Sequence, residues 1–149
     1  MKIAKDNRLS EFKRIEHLLY GYNYEVWFNL YGPLDTDLGL EEALKSNVSG
    51  NAQLSGVVPS SPEDAKAEIM VQVLYEGDEY SGPRMLYKKE SEIISLLNKV
   101  FSRINIDEAD LLAEFGFRKG HPAYPVYWDF AYDIHSNGKR WIFIGCSSD

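Results

Sequence analysis

The chain has a single cysteine, Cys146, so it cannot form an intramolecular disulfide, and a disulfide-built secreted scaffold is excluded. No stretch approaches the run of about 18 apolar residues that a membrane-spanning helix needs. The segment Met1-Lys-Ile-Ala-Lys-Asp-Asn-Arg8 has no apolar core resembling a signal peptide. These features predict a cytoplasmic protein with no membrane association. Positive charge is also scarce. Lys and Arg number 16 against 23 Asp and Glu, giving a net charge of −7. Residues 1–75 hold 7 basic and 11 acidic side chains, and residues 76–149 hold 9 and 12, so the acidity is spread and does not form a tail. Such a surface repels phosphate backbones and anionic lipid, which argues against nucleic-acid partners and membrane surfaces.

Motifs of catalysis and ligand binding are missing as well. There is no Gly-x-x-x-x-Gly-Lys or Gly-x-Gly-x-x-Gly phosphate loop, no Gly-x-Ser-x-Gly elbow, no paired-cysteine zinc spacing and no His-Glu-x-x-His. No cofactor or metal is expected. What the chain does have is core-forming material: 44% hydrophobic residues, with 10 Tyr, 7 Phe and 3 Trp among 149 residues. A chain of this length suits one domain, 1–149, with a core that needs no staples.

Periodicity gives the elements. From Lys5 to Tyr20, Leu9, Phe12, Ile15 and Leu19 share one helical face, and Gly21 stops the helix. Residues 22–31 alternate, with Tyr22, Tyr24, Val26, Phe28 and Leu30 on one side of a strand bounded by Gly32-Pro33. Leu40–Lys45 is expected as a short helix. Residues 46–61 are rich in Ser, Asn and Gly without a sustained period, and are read as a long, mobile surface loop. Ser61-Pro62-Glu63-Asp64 is a helix start, with Ser as N-cap and acids at the positive end of the dipole. Residues 65–75 then fit two patterns. Ala65, Ile69 and Val73 suit a helix, whereas Ile69, Val71, Val73 and Tyr75 alternate as a strand; helix is favoured. An edge strand is expected over 84–88, an amphipathic helix over 91–104, and a further helix over 107–115 closed by a left-handed Gly116.

The C-terminal segment 126–146 is a β-hairpin. Asn137-Gly138 between two apolar runs is the strongest short-range hairpin signal, because a two-residue type I′ turn needs positive φ at both positions. The turn sets the register: His135 opposite Arg140, Asp133 opposite Ile142, and Asp129 opposite Cys146. One face then carries Trp128, Phe130, Tyr132, Ile134, Trp141 and Phe143, and is assigned to the core. Trp141 should contribute about 3–5 kcal/mol there. The other carries Tyr127, Asp129, Asp133, His135, Arg140, Ile142, Ile144 and Cys146. That mixture predicts a surface partly covered by a loop or a partner. Asp133 is expected near solvent, contributing about 1 kcal/mol or less. His121-Pro-Ala-Tyr-Pro125 leads into the hairpin as a stiff extended connector. The predicted architecture is α+β: a small antiparallel sheet with helices packed on one face.

Two functions are compatible with these patterns. In the first, the domain is a small binding protein. Acid groups at Asp35/Asp37/Glu41/Glu42, Glu76/Asp78/Glu79 and Asp107/Glu108/Asp110/Glu114 would steer a basic protein partner, and tyrosine is enriched at interfaces. In size and charge the chain resembles the bacterial immunity proteins, a resemblance that implies neutralisation of a partner toxin. The candidate binding residues are Tyr127, Asp129, Asp133, His135 and Arg140. The second function is a small metal-dependent or acid–base hydrolase using Asp129, Asp133 and His135. Against it, Asp129 and Asp133 lie about 13 Å apart along one strand at ~3.3 Å per residue. A homo-oligomeric domain is a third arrangement that the composition allows.

Overall fold

The computed structural model describes residues 7–149. The Lys5–Asp6 start of the expected first helix lies outside the described residues. Helix α1 runs Ser10–Leu19, later than the expected start, and buries Phe12, Ile15 and Leu19 of the stripe read from the sequence together with Leu18, while Leu9 precedes the helix as its N-cap. The expected strand over 22–31 is broken near its start. Strand β1 is Gly21–Tyr22 and β2 is Glu25–Leu34, separated where Asn23 takes a positive φ of 48°. Helix α2 is Leu40–Asn47.

Strand β3, Gln53–Pro59, occupies the segment expected to be a loop. It pairs with strand β5 (Ala109–Lys119) through two register shifts, one between Gln53 and Leu54 and one at Ser55, and is exposed along most of its length. An exposed edge strand with Gly, Ser and Gln among its residues has no alternating apolar pattern, which is why the sequence reads as loop. Helix α3, Pro62–Val73, resolves the ambiguity at 65–75 in favour of helix. Ser61 Oγ accepts a hydrogen bond from the Asp64 N–H at 3.1 Å, and Ala65, Ile69 and Val73 are fully buried while Val71 points to solvent. The edge strand expected over 84–88 does not form. Strand β4 is only Gly82–Pro83, paired with β1, and residues 86–88 make a 3₁₀ turn. Met85 precedes that turn with φ of 52°, which strand geometry does not allow.

Helix α4, Glu90–Arg103, is followed by Asn105 in the left-handed region and a 3₁₀ turn at Ile106–Glu108. The helix expected over 107–115 is instead the start of β5. Leu111, Leu112 and Phe115 suit a helical stripe, but this segment pairs with β3 on one side and strand β6 (Asp129–Ser136) on the other. Tertiary pairing overrides the local pattern here. Gly116 is not a helix cap. A Cβ there would lie 2.4 Å from Ser55 Oγ, so glycine permits the close approach of β3.

Strand β7, Lys139–Ser148, completes the hairpin. Its register is the one the turn dictates, from Ser136 opposite Lys139 to Asp129 opposite Cys146, with Asn137 and Gly138 at φ 51° and 73°. The five-stranded antiparallel sheet has the order β2-β7-β6-β5-β3. The chain is thus one small α+β domain. Helices α1, α3 and α4 pack on the face bearing Phe28, Phe130, Tyr132, Ile134 and Phe143. Phe12 anchors α1 there, stacked 5.7 Å from Phe28 and 5.5 Å from Phe143. The other face is not bare: Ala43 and Leu44 of α2, with Ala52, close a second, smaller core over Ala131, Ile142, Ile144 and Phe115.

Candidate functional site

The five residues singled out on the hairpin separate into different environments. Asp133 and Arg140 form a buried bidentate ion pair, Nε to Oδ1 and Nη2 to Oδ2 both at 2.9 Å. Their residual exposures of 4% and 2% show that the pair is structural and not near solvent, correcting the expectation for Asp133. The same guanidinium reaches the loop before α2, Nη1 donating to the carbonyls of Leu38 at 2.7 Å and Asp35 at 3.3 Å. Arg140 thus ties the loop to the sheet. His135 Nε2 lies 3.3 Å from Asp133 Oδ1 without forming a hydrogen bond to it, and among the described residues this buried nitrogen has no hydrogen-bond partner.

Tyr127 is not on that face. It precedes β6, packs against the larger core in ring contact with Tyr24 and Tyr75 at 5.7 and 6.2 Å, and donates to the Asn23 carbonyl at 3.1 Å. Asp129 is exposed at the far end of β6, opposite Cys146. The structure therefore brings Asp133, His135 and Arg140 together and leaves Tyr127 and Asp129 apart from them. Both oxygens of Asp133 are held by Arg140, so the trio Asp129, Asp133 and His135 does not converge on one reacting atom. The Cys146 thiol is pushed up to about 12, first by burial and then by Asp129, which leaves it in the unreactive protonated form.

A second acidic group sits between α3 and the sheet. Tyr132 Oη donates to Glu68 Oε2 at 2.7 Å, and the Glu114 carboxyl hydrogen-bonds Glu68. Burial, then Glu68, then Asp129 hold Glu114 above the ordinary carboxylate range. The same surroundings push the Tyr132 phenol upward, burial first. His121 is lowered, mainly by burial, against an opposing pull from Asp129; its Nδ1 accepts the Ala123 N–H at 2.9 Å, which places the ring proton on Nε2. Among the described residues no group of three or more His, Cys, Asp or Glu is placed to hold a metal ion. Among them, too, no helix is long and apolar enough to cross a membrane.

The feature that sequence reasoning missed is a groove of about 680 Å³ between the C-terminal half of α3 and the 3₁₀ turn at 86–88. Met70, Val71, Leu74, Met85, Leu86 and Tyr87 supply its apolar lining. Val71 and Tyr87 are each 74% exposed and Met85 51%, an unusual concentration of large apolar side chains in water. Among the described residues the only charged side chains lining it are two acids, Glu76 and Glu90. Met85 holds a left-handed backbone, rare for a long unbranched side chain, and strain of this kind clusters at binding sites. One signal was available: once residues 62–73 are helical, Val71 sits about 200° around the helix from Ile69, off the buried stripe. The partner wall at 82–88 carries no pattern that could have revealed it.

Comparison of the chain with protein-family models, with curated proteins and with solved structures finds no match.

Proposed function

We infer that this domain is a protein-binding module whose partner docks in the groove between α3 and the 86–88 turn. The observation that carries the reading is the open apolar lining itself, above all the exposure of Val71, Met85 and Tyr87 around one concavity. Apolar side chains that fold with their surface in water are stabilised when a partner covers them, at roughly 25 cal/mol per Å² buried. Two methionines suit such a role, since their flexible thioether chains adapt to what they meet. Glu76 and Glu90 at the rim favour a partner that flanks its apolar anchor with Lys or Arg. The net charge of −7 would speed the encounter with a basic protein. An immunity-like domain that neutralises a basic toxin in the cytoplasm meets these conditions, and the lone buried thiol suits a reducing compartment.

The test is site-specific photocrosslinking in the native host. A photoreactive residue at position 71 or 87 should capture one discrete protein, and a probe at exposed Ser46 on α2 should not. Val71→Glu should abolish capture at position 87 while leaving the melting temperature nearly unchanged, since Val71 makes few folded-state contacts. Capture should also weaken as salt rises. Equal crosslinking from positions 46, 71 and 87, or capture indifferent to Val71→Glu, would refute the assignment.

A further inference from the structure

The groove between α3 and the 86–88 turn has helical backbone on both sides. In such backbone the N–H groups bond along their own chain, as Leu74 does to the Met70 carbonyl and Lys88 to that of Met85, so neither wall is a strand edge. The extended residue that borders the groove is Pro83 of β4. That strand has two residues, and proline has no N–H to donate. A strand laid into this groove would therefore bury N–H and C=O groups with nothing to pair them. A helix satisfies its own backbone and presents only side chains.

The side chains suit that form. Met70 and Leu74, four residues apart, make a ridge at the end of α3 with Val71 beside it. Ridges of this spacing interdigitate with those of a second helix. The charge at the groove has one sign. Glu76 and Glu90 line it, and both are exposed. Helix α3 has no basic residue in its last turn, so the negative end of its dipole stands uncompensated beside Glu76. Arg84, Lys88 and Lys89 of the facing segment are not among the lining residues, and Lys89 Nζ donates to the Leu18 carbonyl at 2.9 Å. A second copy of this chain is a poor occupant, because it would bring a net charge of −7 against another −7.

We propose, on the reading that a protein docks in this groove, that the partner's docking element is a basic amphipathic helix. Its apolar side chains, at every third or fourth position, interlock with the Met70–Leu74 ridge, and the Lys or Arg residues flanking them face Glu76 and Glu90.

Three synthetic peptides of about 18 residues, five turns of helix, test the geometry. The first has Leu at every third or fourth position and Lys elsewhere. The second has the same numbers of Leu and Lys, with Leu at every second position, the strand pattern. The third is the first with Glu in place of Lys. Each is titrated against the whole chain while the Met70 and Met85 methyl resonances are followed by NMR and helix content by circular dichroism. The helix-patterned Lys peptide should shift both methyl groups and become more helical on binding. The strand-patterned peptide carries the same charge, so long-range attraction is equal, and it should bind about tenfold more weakly, the worth of one buried leucine. The Glu peptide should be at least as weak. Met85→Asn removes an apolar side chain while suiting the left-handed backbone, so it should preserve the melting temperature and weaken the first peptide by a similar factor. Equal affinity of the two Lys peptides, tighter binding of the Glu peptide, methyl groups that do not shift, or unchanged affinity in Met85→Asn would each overturn the proposal. Photocrosslinking from positions 71 and 87 distinguishes a wrong helix from a wrong site. A captured partner whose crosslinked residues lie three, four or seven apart supports the helix. Crosslinked residues two apart, or in a loop, refute the helix and leave the docking site standing, whereas absence of any capture refutes the site and the helix with it.

Discussion

Replacing Asp133 by alanine should cost about 3–5 kcal/mol of folding stability, because it leaves the Arg140 guanidinium buried without its counter-charge. Arg140 is 2% exposed and gives Nε and Nη2 to Asp133 at 2.9 Å each, so no solvent stands ready to take the place of the carboxylate. Its third nitrogen is committed to the Leu38 and Asp35 carbonyls, which prevents the side chain from swinging out to water without releasing the loop before α2. Against a total of ~5–15 kcal/mol for a domain, that loss is large. Trp141→Ala provides the comparison. Trp141 packs on the larger core but is only partly buried, so its truncation should fall below the ~3–5 kcal/mol of a fully buried aromatic. Urea melts of both variants, analysed at a common m-value, give the ranking. The double variant Asp133→Leu/Arg140→Met should recover most of the loss, since an apolar pair of similar volume avoids the desolvation of two ions. A loss of only ~1 kcal/mol for Asp133→Ala would show that water reaches the pair and that the second core is open at that point.

Other consequences can be checked separately. Gly138→Val should cost about 1–3 kcal/mol, because Gly138 sits at φ 73° where a β-branched residue is strained, and an unchanged thermal melt would refute the two-residue turn. Cys146 is 1% exposed with its thiol pushed up to about 12, so iodoacetamide should leave it unmodified at mildly alkaline pH until the protein unfolds; alkylation at the rate of a free thiol would refute that burial. The Glu114 carboxyl is held above its ordinary value, so its contribution to stability is complete below the unfolded-state value and is lost as pH rises through the raised folded one. Glu114→Gln should therefore be slightly more stable than the native chain at neutral pH, by less than about 0.5 kcal/mol given the exposure of the group, with the advantage shrinking in acid. A destabilised Glu114→Gln with no pH dependence would refute the Glu68–Glu114 contact.

Asn137-Gly138 determined the hairpin register by itself, since a two-residue loop leaves no freedom in which side chains share a face. The helices at 10–19 and 90–103 were nearly as local, each marked by an apolar stripe, whereas at 62–73 the cap at Ser61 fixed the start but the residues after it fit helix and strand alike until the fold placed Ala65, Ile69 and Val73 in the core. Segments 53–59 and 109–119 were not local. The first has no period and the start of the second fits a helix; the second becomes a strand between β6 and β3, and the first only because the second lies beside it, with Gly116 making room for Ser55. The candidate sites divide in the same way. Asp133, His135 and Arg140 could be placed on one face from the register, but their burial depended on α2 and the 35–38 loop arriving from a hundred residues earlier. The α3 groove was beyond the sequence altogether, because its two walls come from segments whose spacing is decided by the β1–β4 pairing and the left-handed backbone of Met85. Local periodicity and turn chemistry act within a few residues and can be read along the chain. Burial and concavity are properties of the space between distant segments, and only the folded arrangement decides them.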